Sequence, residues 1–169
     1  MQNLERKFRC ADLAAAERAA VGMGATDRGV IAHRDLFFEA PEARLKLRTI
    51  NGREAAELIA YRRADSRNAR LSEYQVAPVS NAEAMVTVLT YALGKPRELI
   101  KTRHLFIFRS TRIHLDKVDC KGTFAELETM MSHGSASLAE AHKELEEVVA
   151  ALGLTDAVPE AYVDLLDER

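Results

Sequence analysis

Asn3-Leu4-Glu5-Arg6-Lys7-Phe8-Arg9-Cys10 is the stretch whose reading decides the fold. Glu5, Lys7 and Arg9 lie two residues apart, so on a strand they share one face, away from Leu4, Phe8 and Cys10. Taken alone, such alternation describes a solvated strand face. The device recurs, however, in Arg44-Leu45-Lys46-Leu47-Arg48, Lys101-Thr102-Arg103, Arg112-Ile113-His114-Leu115-Asp116 and Glu126-Leu127-Glu128. Several strands of this kind, some basic and some acidic, are hard to explain as independent surfaces. A closed barrel gives all of them one place, because interior and exterior residues alternate along every strand. The charged faces then line a wide polar interior, and the apolar faces point outward to be covered by amphipathic helices.

The chain has 169 residues, 47% hydrophobic and 30% charged, which is enough for one domain with a real core, read as residues 1–169. A net charge of −2 offers no global basic field for nucleic acid, so any anion site must concentrate its cations locally. No apolar run approaches a bilayer's thickness, and the first residues lack a signal-peptide pattern. The expectation is a cytoplasmic protein, monomeric or homodimeric, bound neither to membrane nor to nucleic acid. Cys10 and Cys120 make neither a disulfide framework nor a zinc motif and read as small buried hydrophobes.

In chain order, the first strand is followed by a helix over Ala11–Gly24. Strands are expected over Val30–Phe38 and Ala43–Ile50, and Asn51-Gly52 is a strong hairpin signal leading back through Ala55–Arg63. On that return strand Glu57, Ile59, Tyr61 and Arg63 share a face. Arg70–Val79 reads as a further strand. Asn81–Leu93 is a helix with Ser80 or Asn81 as cap and Gly94 as stop. Leu99–Phe108 and Thr111–Val118 form a hairpin turning at Arg109-Ser110, and Gly122–Met131 is the last strand. Ser137–Leu152 is a helix. Pro159–Leu166 is expected as a short terminal helix docking Tyr162, Leu165 and Leu166. The fold class is α+β: about eight antiparallel strands closed into a tunnel, with three or four flanking helices.

These residues carry a resemblance. NLERKFRC, RDLFFEAPEARLKLR, NGREAAELIAYRR, RIHLDKVDCKGTFAELE and AYVDLL, in that order, resemble the CYTH superfamily. It groups class IV adenylyl cyclases, thiamine triphosphatases and inorganic triphosphatases, also called triphosphate tunnel metalloenzymes. The resemblance implies an eight-stranded tunnel and a metal-dependent enzyme acting on a triphosphate such as ATP, thiamine triphosphate or tripolyphosphate. It implies Mg²⁺ or Mn²⁺ held by Glu5, Asp116, Glu126 and Glu128. It implies phosphate contacts from Lys7, Arg9, Arg44, Lys46, Arg48, Lys101, Arg103 and Arg112, with Arg63 preferred to Arg62 at the end of the fourth strand. Glu5, Lys7 and Arg103 are the candidate catalytic residues. The family's Glu-x-Glu-x-Lys signature departs here, since Asn3 stands at its first position. Lys121 stands where an apolar residue is more usual.

Such a site has a physical logic. Arg and Lys from opposed strands neutralise a polyphosphate, Arg bidentately, and a few carboxylates suffice for Mg²⁺ or Mn²⁺. No glycine-rich phosphate loop is present, so side chains must hold the phosphates. Triphosphate hydrolysis is the leading reading. Cyclic AMP formation and a catalytically weak nucleotide-binding module, weakened by Asn3, remain alternatives. Single-stranded nucleic acid is disfavoured by the charge and the lack of aromatic platforms. His114 reads as a lumen or surface histidine without a catalytic task, and His33 and His104 as structural or exposed.

Overall fold

The computed structural model describes residues 1–131 and 137–164. Its strands are β1 (Gln2–Arg9), β2 (Thr26–Phe38), β3 (Arg44–Ile50), β4 (Ala56–Arg63), β5 (Arg70–Val79), β6 (Arg97–Phe108), β7 (Thr111–Val118) and β8 (Gly122–Met131). They close into one barrel in the order β1-β5-β4-β3-β2-β6-β7-β8, and every neighbouring pair is antiparallel. With α1 (Leu13–Gly22), α2 (Ala82–Leu93) and α3 (Leu138–Ala151) outside it, this is the expected α+β tunnel.

The alternation read in the sequence sets which side chains face in. On β1, Leu4 and Phe8 turn outward and are buried beneath α1 and α3 in a cluster with Leu127, Leu145 and Val148. Full burial of each such side chain is worth about 1.5–3 kcal/mol. α2 covers β2 and β3 through Met85, Val86 and Leu89, packed on Leu36 and Leu47. The helix starts are capped as their sequences suggest. Asp12 and Asn81 accept the amides of Ala15 and Ala84 at 2.9 Å, and Ser137 with Glu140 closes a reciprocal capping box. Asn51 and Gly52, both at positive φ, turn the β3–β4 hairpin. Among the described residues no helix is long and apolar enough to cross a membrane.

Two expectations are corrected. β2 begins at Thr26, four residues before Val30, because an irregularity between Asp27 and Val30, with Gly29 at φ 85°, lets the strand continue past a break in its pattern. Of the terminal helix expected over Pro159–Leu166, the described part forms only a single turn at its end, where the Asp164 amide donates to Ala161 O at 3.1 Å. Leu165 and Leu166 lie outside the described residues, and Pro159 to Tyr162 run as bends and turns. The reason lies in the carbonyls. Pro159 O accepts from Arg63 and Arg70, and Glu160 O accepts from Lys7, so these groups answer to barrel cations and not to a helix.

Residues 157–164 thus form a plug across one end of the barrel. Ala157 pairs with Phe8, the Val158 amide donates to Lys7 O at 2.8 Å, and Arg97 donates to Val163 O. Val158, Ala161, Tyr162 and Val163 pack there against Phe37, Leu99, Val118 and Phe124.

Candidate functional site

Above the plug the barrel encloses a cavity of about 880 Å³. Its lining is ordered along the axis by strand register. Tyr162 forms the floor, with Lys7 and Lys101 Nζ 3.7 and 4.6 Å from its ring centroid. A belt of cations follows: Lys7, Lys46, Arg48, Arg63, Lys101 and Arg103. Glu126, paired in register with Lys7 on one side and His114 on the other, stands beside the belt, and Glu128, paired with Glu5 and Arg112, lies one step further along β8. Furthest from the plug the lining is mixed, with the apolar Ile31, Val76, Leu105 and Ile107 and Tyr74 interspersed with Arg28, Glu57 and Arg112.

Three buried carboxylates hold the cation belt in place. Asp35 accepts Arg48 Nε and Nη2 at 2.7 Å each and Lys46 Nζ at 3.1 Å. Asp116, wholly buried, accepts Arg103 Nε and Nη2 at 2.6 Å each, Lys101 Nζ at 2.8 Å and the Tyr162 hydroxyl at 2.9 Å. Glu5 lies 3.3 Å from both Arg63 and Arg70. Arg103 Nη2 reaches on to Glu126 at 3.0 Å, so one guanidinium links the Asp116 cluster to the carboxylates of β8.

Burial and crowding tune these groups. Burial pulls the Lys7 ammonium down to about 8, with Glu126 opposing the shift and Arg63 adding to it. Lys46 is likewise drawn to about 8 by burial and by Arg48, against the pull of Asp35. Burial pushes Glu5 up, reinforced by Glu126, despite its two arginines. Burial works to raise Glu126, but Lys7 and His114 outweigh it and hold the carboxyl well below its ordinary range. His33 falls to about 2 through burial and the neighbouring Arg48, Arg103 and Lys101. Burial and Arg103 also lower His114.

Most of the expected residues meet here. Glu5, Lys7, Lys46, Arg48, Arg63, Lys101, Arg103, Arg112, Glu126 and Glu128 line one cavity. Arg9 does not: it is exposed at the plugged end, its guanidinium 5.4 Å from the ring of Phe124, which the plug covers, because the plug crosses between it and Lys7. Arg44 stays at the plug end, 3.0 Å from both Asp65 and Asp164. Asp116 is at hand but saturated. Its oxygens already take four hydrogen bonds, which anchor Arg103, Lys101 and the Tyr162 hydroxyl. Among the described residues, the group able to hold a metal is His114, Glu126 and Glu128, whose ligand atoms all lie within 4.8 Å of one another. Asn3 is buried, and its Oδ1 has no hydrogen-bond partner among the described residues.

Sequence reasoning missed Asp35, Arg70 and the part played by Tyr162. Asp35 alternates with His33 and Phe37 on β2, which is the signal that marks it as inward-facing. Arg70 opens β5 in phase with Ser72 and Tyr74. For Tyr162 the sequence offered only an apolar docking pattern, with nothing to place its hydroxyl on Asp116.

Comparison with known proteins agrees with this architecture. The PH1012 protein of Pyrococcus horikoshii OT3 superposes with a TM-score of 0.85 at 24% identity, over 96% of this chain and 98% of that one. A putative adenylate cyclase from Vibrio parahaemolyticus gives 0.76 at 19% identity, over 97% of each chain. HpAC1 of Hippeastrum, described as a putative adenylyl cyclase with a dominant triphosphatase activity, gives 0.66 at 12% identity, over 96% of this chain and 94% of that one. No curated protein sequence matches. The CYTH domain family matches residues 1–162, nearly the whole described chain, and the protein belongs to that family.

Proposed function

We propose that this protein is a metal-dependent triphosphatase that holds its substrate's phosphates in the cation belt and the metal at the β8 carboxylates. The observation that carries the reading is the convergence of Lys7, Lys46, Arg48, Arg63, Lys101 and Arg103 on one cavity beside Glu126 and Glu128. A polyphosphate is the small anion that needs this many donors, and a divalent cation is what balances two carboxylates facing it. The dominant triphosphatase activity of the Hippeastrum relative points the same way.

The protein's own groups have definable tasks. Asp35 and Asp116 fix the planes of Arg48 and Arg103, so both guanidiniums are set before substrate arrives. Lys7 at the floor adds charge that is gained with little reorganisation. A divalent metal, when bound, supplies Lewis-acid polarisation of the phosphoryl group. Water then adds to the terminal phosphorus, its bond to the bridging oxygen breaks, and orthophosphate leaves the diphosphate product.

A second reading has one observation in its favour. The apolar positions Ile31, Val76, Leu105 and Ile107 suit a flat organic group beyond the phosphates. With ATP there, attack of the ribose 3′-hydroxyl on the α-phosphorus expels pyrophosphate and forms cyclic AMP. Incubation with tripolyphosphate, thiamine triphosphate and ATP plus Mg²⁺ or Mn²⁺, with products resolved by chromatography, decides. Orthophosphate supports the triphosphatase and cyclic AMP the cyclase. No turnover of any of the three overturns both.

A further inference from the structure

We propose that His114 is a metal ligand through Nδ1, completing a His-Glu-Glu site that prefers a first-row transition dication such as Mn²⁺ to Mg²⁺. The proposal rests on a metal-dependent reading of the cavity and names the ligand set of that site. Neither the periodicity nor the resemblance gave His114 any task.

Three observations converge. The ligand atoms of His114, Glu126 and Glu128 fit within the reach of one ion. His114 is 4% exposed, yet its Nδ1 has no hydrogen-bond partner among the described residues. The nearest carboxylate oxygens, Glu128 Oε1 and Glu126 Oε2, stand back at 3.7 and 3.9 Å. Leaving a buried polar nitrogen unmatched carries its full desolvation penalty. An ion set between Nδ1 and the two carboxylates satisfies all three groups together, which direct contact does not achieve at these distances. Finally, β7 and β8 are adjacent and His114 is paired with Glu126, so the three ligands sit on two hydrogen-bonded strands and are held rigidly.

The identity of the donors sets the preference. Mg²⁺ takes oxygen ligands, whereas an imidazole nitrogen raises affinity for the later divalent metals. Two carboxylates keep the set hard enough for Mn²⁺. His33, the other cavity histidine with an unmatched Nδ1, is no rival, because among the described residues it stands in no group of three potential ligand side chains.

The test uses the full chain without any triphosphate. Mn²⁺ and Mg²⁺ are titrated calorimetrically into wild type, His114→Gln and His33→Gln, and bound Mn²⁺ is examined by pulsed electron paramagnetic resonance for coupling to imidazole nitrogen. Wild type should bind Mn²⁺ about ten-fold more tightly than Mg²⁺. His114→Gln should lose about ten-fold in Mn²⁺ affinity, hold Mg²⁺ nearly unchanged and show no nitrogen coupling. His33→Gln should behave as wild type. Should His114→Gln fail to fold, wild type and His33→Gln decide alone: coupling in both supports the assignment, and coupling absent from either overturns it. Unchanged Mn²⁺ affinity in folded His114→Gln, or no Mn²⁺ binding by wild type, also overturns it. A chain that binds Mn²⁺ through His114 yet turns over no triphosphate overturns the enzymatic reading and leaves this one standing.

Discussion

Arg103 grips Asp116 through two parallel bonds of 2.6 Å and extends the same Nη2 to Glu126 at 3.0 Å. Burial works to raise Asp116, but Arg103 and Lys101 hold its carboxyl far below the usual carboxylate range. The pair therefore fixes a cation in the cavity wall and joins the belt to the candidate metal group.

Removing one side of a buried pair leaves the other charge uncompensated. Asp116→Ala strands Arg103 and Lys101 and unties the Tyr162 hydroxyl. It should lower stability by about 3–5 kcal/mol, measured from urea unfolding. A loss under about 1 kcal/mol contradicts the anchoring role.

How much of this was legible follows from what a two-residue period can report. It reports the face of a strand, so Lys7, Lys46, Arg103, Glu126 and Glu128 were placed inside from sequence. It does not report position along the barrel axis. Arg9 and Arg44 are in phase with the lumen residues but lie at the plugged end, where residues 157–164 cross. That crossing depends on Lys7, Arg63 and Arg70 capturing carbonyls 89 to 153 positions away, which no local pattern encodes. The isolated Asp35 was passed over because it lacks a charged neighbour two residues away, whereas Glu126 and Glu128 advertise each other. His114 was visible as inward-facing, but its unmatched Nδ1 is a fact of packing.

Lys46 makes triphosphate binding pH-dependent. Its ammonium titrates near 8 in the folded protein and near 10.4 when unfolded. Between those values the unfolded chain binds more protons, so this residue's contribution to stability rises with pH. Over the same window the empty cavity loses positive charge. Affinity for tripolyphosphate should therefore fall between pH 7 and 9.5, and Lys46→Arg, which keeps its charge, should lessen the fall. Lys7, also near 8, leaves part of it in place. Calorimetric titration across that range checks this, and identical profiles contradict it.

Asn3 gives the cavity a buried neutral oxygen that has no hydrogen-bond partner among the described residues. Metal affinity depends on the count of charged ligands. Asn3→Asp, nearly the same shape, should lower the metal concentration needed for half-maximal turnover. Superimposable metal titrations of the two proteins would place Asn3 outside the metal's reach.

The central claim, that the cation belt is a polyphosphate site, is tested most directly by calorimetric titration of tripolyphosphate with Mn²⁺ into wild type and Arg48→Ala, both checked for folding. Arg48 lines the cavity while Lys46 remains to pair with Asp35, so the barrel should survive the change. The account predicts one-to-one binding by wild type, weakened by about 1.5–3 kcal/mol in Arg48→Ala, roughly ten- to a hundred-fold. Equal affinity in the two proteins, or no binding by wild type, contradicts it.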